Sequence, residues 1–134
     1  LNAGVELFEL RSDPDIQASV VEVPPVTGEF TGLHSKCAVA DGRYVFIGSK
    51  NLDPRSANIN TEMGAFVDSP ELGEDMVRII ERDMSGANAW HVHFDEDGEI
   101  AWTNDEETLD SQPARDGMQR VMNTLMKLGP KDQY

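Results

Sequence analysis

In "LHSKCAVADGRYVFIGSKN", Leu33 to Asn51, one histidine, two lysines, an aspartate and a Gly-Ser-Lys-Asn ending stand among side chains otherwise suited to two apolar strands. Packing asks a strand only for alternating apolar and polar residues, and has no use for His, Lys, Ser and Asn gathered at strand ends. His34 and Lys36 are two residues apart, so a strand turns both to one face. If a hairpin carries Gly48-Ser49-Lys50-Asn51 back alongside, Ser49 and Asn51 can join that imidazole and ammonium around one small anion. A phosphodiester needs this set: a nucleophile or proton donor at phosphorus, and fixed positive or hydrogen-bonding groups on its non-bridging oxygens.

The elements that must position these groups are legible in outline. Asp41-Gly42, between "HSKCAVA" and "RYVFIGS", predicts a β-hairpin with a two-residue turn, because both central positions of such a turn need positive φ. "LDPRSANIN" reads as a loop and "TEMGAFV" (Thr61 to Val67) as a third short strand. Ser69-Pro70 then supplies an N-cap and a first-turn proline, and Leu72, Met76, Ile79, Ile80 and Met84 follow at helical spacing. Upstream, "GVELFEL" (Gly4 to Leu10) reads as a strand. The stretch after it is a long loop broken by Pro14, Pro24, Pro25, Gly28 and Gly32, of the kind that can rim a site. Downstream, "WHVHF" and "EIAW" flank Asp95-Glu96-Asp97-Gly98 as a second hairpin, followed by an acidic loop. A final helix is predicted from about Ala114, with Met118, Val121, Met122, Leu125 and Leu128 on one side and Gly129-Pro130 as its stop.

A chain of 134 residues suits one domain, 1–134, with a single modest core. It opens on Leu and runs at once into a strand, and is read as a piece of a longer protein. The net charge of -14 is uneven: residues 1–59 hold 8 acidic and 5 basic groups, whereas residues 60–134 hold 17 and 6. Such a charge repels phosphate backbones and disfavours broad nucleic-acid binding, yet leaves room for a local phosphate site in the least acidic part. Solubility, or adaptation to a salty habitat, is the favoured account of the charge. The single cysteine, Cys37, excludes an intramolecular disulfide framework and a Cys-based zinc site, and reads as a small core residue. No signal peptide is visible, and no apolar run approaches the ~20 residues that span a bilayer.

The order HxKxxxxDxxxxxxGSxN, from His34, Lys36 and Asp41 to Gly48, Ser49 and Asn51, resembles the signature of the phospholipase D superfamily. Six defined positions at fixed spacing arise by chance on the order of once in tens of millions of starts if residues are equally frequent. Downstream, "NLDPRSANINTEMG" is similar to the NxDPRSxxxNTEMG element of bacterial two-motif proteins of the cardiolipin synthase type, and "AWHVHFDEDGEIAWTNDEE" looks like the tail of that group. The resemblance covers about Leu1 to Glu107.

This resemblance implies an α/β fold, a mixed β-sheet flanked by helices forming a phospholipase D-like half-domain. It implies a phospholipid substrate and two-step chemistry, in which one histidine attacks phosphorus to give a phosphohistidine and a second protonates the leaving alcohol. Water or another alcohol then takes the phosphoryl group. No metal or cofactor is expected, because Lys and Asn do the charge work of a magnesium ion. Carried over residue by residue, His34, Lys36 and Asp41 form the catalytic motif, and Lys36, Ser49 and Asn51 bind phosphate. Asp41 also makes the turn with Gly42, and no proton transfer is assigned to it. Glu62, 28 residues beyond His34, takes the place of a carboxylate that holds the catalytic imidazole in one tautomer, and Arg55 and Ser56 could contact a headgroup. Plainer readings stand beside these, a surface Glu62 and an Arg55 paired with some carboxylate.

The family site is built from two motif copies, and this chain carries one. The partner copy would come from an N-terminal half of a parent protein or from a second copy of this chain. His91 and His93 supply no second motif; two metal ligands are conceivable there, but a solvent-facing strand edge fits better and no role is assigned. Three readings remain open: half of a cardiolipin synthase-like phosphatidyltransferase, a single-motif phosphodiesterase or endonuclease completed by homodimerisation, and an inactive module with an incomplete site. The first places the parent in the bacterial cytoplasm or at a membrane surface. The charge of -14 speaks against a nuclease.

Overall fold

A computed structural model describes residues 1–20 and 32–114. The predicted final helix, beyond Ala114, and the latter part of the long proline-rich loop lie outside the described residues. The chain is α/β, with its strands divided between two antiparallel sheets and three helices among the described residues. The described residues fall into two compact units, 34–80 in one and the rest in the other.

In the unit 34–80 the strands β1 (Lys36–Ala40), β2 (Tyr44–Gly48) and β3 (Gly64–Asp68) form a meander in that order. Val45 is the largest fully buried side chain among the described residues, and its rung, Val39–Val45–Val67, is the best covered of the sheet. Asp41 and Gly42 both take positive φ, 54° and 60°, as the Asp-Gly signal demands. The turn is nevertheless one residue longer than that signal predicts. Arg43 N–H closes on the Ala40 carbonyl at 3.0 Å, but the ladder resumes only with Ala40 opposite Tyr44. Arg43 is withdrawn by the third strand: its carbonyl accepts from Ser69 N–H at 3.1 Å, and its guanidinium grips the Asp68 carboxylate in a two-pronged ion pair. That pair raises the Arg43 pKa and lowers that of Asp68.

The stretch expected as a plain loop after Asn51 contains a short helix, α1 (Pro54–Asn58). The Asp53 carboxylate caps it by accepting from Ser56 N–H at 2.8 Å, and Pro54 opens its first turn. Helix α2 (Pro70–Asp83) starts as predicted, with Ser69 Oγ accepting from Leu72 N–H at 3.2 Å. Its Gly73 lies against the backbone of the hairpin turn, so that a Cβ there would collide with the Gly42 carbonyl and come within 2.5 Å of Arg43 N. Helix and turn meet backbone to backbone. Cys37 is exposed, contrary to its reading as a core residue, because the rung it shares with the exposed Ile47 and Ala65 is left uncovered.

The other unit holds a four-stranded antiparallel sheet in the order β4 (Leu7–Leu10), β5 (Ala89–Phe94), β6 (Ile100–Thr103) and β7 (Thr108–Leu109). Its core among the described residues is Ala89, Trp90, Val92 and Ala101. His91 and His93 therefore sit on an interior strand, not on the solvent-facing edge expected. His91 stacks on Phe8 at 5.0 Å, while His93 Nδ1 donates to the Phe94 carbonyl at 3.0 Å and Nε2 bonds the Thr103 hydroxyl at 2.9 Å. Buried Asn88 ties three segments together. Its side chain donates to the Arg82 carbonyl at the end of α2 and accepts from Ile16 N–H, and its carbonyl accepts from Arg11 N–H. Ile16 precedes one helical turn, α3 (Gln17–Val20), in what the prolines suggested was loop throughout. No helix among the described residues is long and apolar enough to cross a membrane.

The Gly73 contact yields a stability prediction. Gly73→Ala forces the helix off the turn and is expected to destabilise the protein by about 1–3 kcal/mol, read as a lower urea midpoint. An unchanged midpoint would mean that the helix can shift away freely.

Candidate active site

One rung of the three-stranded sheet assembles the site. Lys36 is paired with Gly48, and Gly48 with Gly64. Ser49 follows Gly48 and Glu62 stands two residues before Gly64, so three segments distant in sequence meet at one end of the sheet. Hydrogen bonds carry the ladder one step further. Ser49 N–H donates to the Met63 carbonyl at 2.8 Å, Met63 N–H donates to Ser49 Oγ at 3.0 Å, and Ser49 Oγ donates to Glu62 Oε2 at 2.6 Å. The Ser49 hydroxyl is thereby held in one orientation.

The glycines of this rung are needed for space. A Cβ on Gly48 would lie 2.7 Å from the Met63 carbonyl oxygen and 2.8 Å from Cζ of Phe46, and one on Gly64 would run into the same ring. Phe46, two residues before Gly48 on the same face, thus lies across both glycines, with its ring 4.9 Å from that of Phe66. Gly48 serves close backbone approach, as its place in the motif suggested.

Lys36 is half-buried, and its Nζ donates to the His34 carbonyl at 2.7 Å, which leaves two N–H donors for a ligand. His34 is exposed, and its imidazole has no hydrogen-bond partner among the described residues. Glu62, half-buried, bonds Ser49. Asn51 is exposed in the same segment, beside Asp53. Asp41 stands in the turn at the far end of the hairpin from Lys36. Arg55 is exposed, whereas Ser56 is buried, with its hydroxyl in no hydrogen bond of normal geometry.

Two carboxylates around this end are held below their ordinary pKa values. For Glu62 the main cause is the hydrogen bond from Ser49, with smaller contributions from Ser56 and Asn60. For Asp53 it is the Ser56 N–H, with smaller contributions from the Ser56 hydroxyl, Arg55 and Asn51. Asp53 is the residue that reading the sequence for chemistry overlooked. It orders the turn between Asn51 and Ser56, and the Asp-Pro dipeptide was the signal that it caps a helix. Overall, the end of the sheet offers an imidazole, an ammonium and an oriented hydroxyl within one short stretch, an arrangement suited to an anionic group.

The Ser49–Glu62 bond is open to measurement. Ser49→Ala removes the main cause of the Glu62 depression, so the Glu62 midpoint in an NMR pH titration is expected to rise toward that of an unstructured glutamate. The sign for stability follows: a depressed folded-state value stabilises above the unfolded-state pKa, and that contribution is lost as pH falls through the folded value. Ser49→Ala should therefore flatten the acid limb of the stability profile.

Residues 3–84 match the family model described as cardiolipin synthase, phospholipase D-like domain. The chain is 36% identical to cardiolipin synthase C of Escherichia coli over 97% of its own length and 28% of that protein. It is 33% identical to an uncharacterised protein of Helicobacter pylori over 66% of its length and 16% of that protein. The chain thus spans little more than a quarter of cardiolipin synthase C. No solved structure matches it significantly. With the motif rung, its glycines and the downstream DPRS and NTEMG segments all inside the matched region, the chain belongs to the phospholipase D-like domain family of cardiolipin synthase.

Proposed function

We propose that this chain supplies one of the two motif halves of a phosphatidyl-transfer site. The observation that carries this reading is the Lys36–Gly48–Gly64 rung together with the Ser49–Glu62 bond beyond it. A strand pair built only to pack has no reason to orient a hydroxyl with a carboxylate beside a lysine whose donors are two-thirds free. In this reading Lys36, Ser49 and Asn51 hold the non-bridging oxygens of a phospholipid phosphodiester, and Arg55 reaches its headgroup. Ser56, turned inward, acts on Glu62. Asp41 sets the turn.

His34 acts as one of two histidines. The other, from a second motif in a parent protein or in another copy of this chain, attacks phosphorus while the bond to the leaving alcohol breaks. His34 gives that alcohol its proton and then takes one from the incoming alcohol, which displaces the phosphohistidine. Glu62 holds Ser49 in one orientation. An incoming phosphatidylglycerol would make the product a cardiolipin, in keeping with the name of the Escherichia coli relative.

Phosphate binding tests this half of the site without the other. Titrating the 134-residue chain with inorganic phosphate should shift the NMR signals of His34, Lys36, Ser49 and Asn51 together, and His34→Ala should weaken the binding. In any assembly that carries a second motif, His34→Ala is expected to lower transfer by about 10²–10⁴-fold. Shifts scattered over the acidic second half, or none at all, would remove the phosphodiester reading.

A further inference from the structure

A serine hydroxyl has one hydrogen to give and two lone pairs to receive, and at Ser49 the hydrogen is already engaged. It goes to Glu62 Oε2 at 2.6 Å in preference to the neutral Met63 carbonyl at 3.4 Å, while one lone pair takes Met63 N–H at 3.0 Å. What remains toward a ligand is a lone pair, which repels the oxygens of a phosphate. Ser49 can hold such an oxygen only by turning its hydrogen away from Glu62. A half-buried, ionised carboxylate that loses its main donor then opposes binding.

A replacement donor stands beside that carboxylate. Ser56, in helix α1, is 4% exposed, and its hydroxyl is in no hydrogen bond of normal geometry. A position that only packs gains nothing from such a group, since alanine fills nearly the same space without an unpaired buried hydroxyl. The hydroxyl lies close enough to two carboxylates to help hold both below their ordinary pKa values, and after Ser49 it is the largest influence on Glu62, ahead of the exposed Asn60. Asp53 depends on it less, because its main donor is Ser56 N–H at 2.8 Å. The Ser56 hydrogen is therefore available to Glu62.

We infer that Ser56 is a positioning residue of the phosphate site: when a phosphate oxygen takes the hydrogen of Ser49, the Ser56 hydroxyl turns onto Glu62 in its place. No covalent bond changes in this exchange. Two hydroxyls rotate, and Glu62 stays ionised with a serine donor before and after. Met63 N–H continues to hold Ser49 Oγ, so that oxygen keeps its place while its hydrogen changes direction. A donor from elsewhere, such as a hydroxyl on the ligand itself, would make Ser56 dispensable. The inference rests on the reading of Ser49 as a phosphate ligand in a phosphatidyl-transfer site.

The test is a double-mutant cycle on the 134-residue chain with dimethyl phosphate as the probe, because a diester has no hydroxyl of its own to give Glu62. Dissociation constants near neutral pH are read from the NMR shifts of His34, Lys36 and Asn51. Ser56→Ala is expected to weaken binding about ten-fold. Circular dichroism should be unchanged and the thermal midpoint no lower, because the hydroxyl removed is unpaired. Ser56→Cys, similar in size but a weak donor, should weaken binding in the same way. In a Ser49→Ala background there is no hydrogen to hand over, and Ser56→Ala should then change the constant by less than about two-fold. Unchanged binding by both Ser56 variants overturns the inference. So does an equal loss in the two backgrounds, or failure of both variants to fold, since either marks Ser56 as structural only. Each of these results leaves the phosphatidyl-transfer reading standing as long as the wild-type chain binds the diester. Absence of shifts at His34, Lys36 and Asn51 in the wild-type chain removes that reading and the inference with it.

Discussion

The register of the β1–β2 hairpin is the constraint on which the site depends. Side chains alternate along a strand, so a slip of one residue would exchange every partner across the pair and turn each apolar set to the wrong face. A two-residue turn at Asp41-Gly42 would bring Lys36 opposite Ile47. The turn found, with Arg43 as its third residue, brings Lys36 opposite Gly48 and leaves Ser49 at the mouth of the sheet. Arg43 is held in that turn from outside the hairpin, by Asp68 and by the N–H of Ser69. An exposed ion pair contributes little to stability in most settings, but here it acts together with a backbone hydrogen bond to select between two registers.

The same economy governs the other parts that position the site. Gly73 brings helix and turn into backbone contact, and Gly48 and Gly64 let the Phe46 ring lie across two strands. In each place the missing Cβ matters more than conformational freedom. Around the mouth of the sheet, Asp53 caps a helix and Glu62 holds Ser49, both as ionised carboxylates, and Lys50 and Arg55 balance them, so that residues 49–63 are neutral although the chain as a whole is strongly acidic. A net charge describes solubility and long-range repulsion; it does not describe a site a few ångströms across.

Much of this was legible in one dimension. The motif residues, the Asp-Gly turn with its positive φ, the helix opening at Ser69-Pro70 and the second hairpin around Gly98 all rest on local chemistry, and each element is present where that chemistry points. The readings that needed correction share a different cause. Cys37 is exposed because nothing described covers its rung, and His91 and His93 lie on an interior strand because the Leu7–Leu10 strand, some eighty residues earlier, pairs on one side of theirs. Asn88 was invisible as a hub, since its partners at Ile16 and Arg11 are over seventy residues away. The helix at Pro54–Asn58 is the exception: Asp53-Pro54 announced it, and the reading passed over a five-residue element too short to show any periodicity.

What the sequence determined by itself was a set of candidate site groups and their spacing. His34, Lys36, Ser49, Asn51 and Glu62 are recognisable as residue types at intervals, and a strand pair is enough to suggest that some of them converge. Only the tertiary structure decided which of them touch. It chose Ser49 as the partner of Glu62, folded Lys36 back onto the His34 carbonyl, turned Ser56 inward and left Leu52, Ile59 and Met63 outside. The reason is that contacts of this kind depend on register and on long-range packing. Both are settled by groups such as Arg43, Asp68 and Gly73, whose own chemistry gives no sign of the site they align.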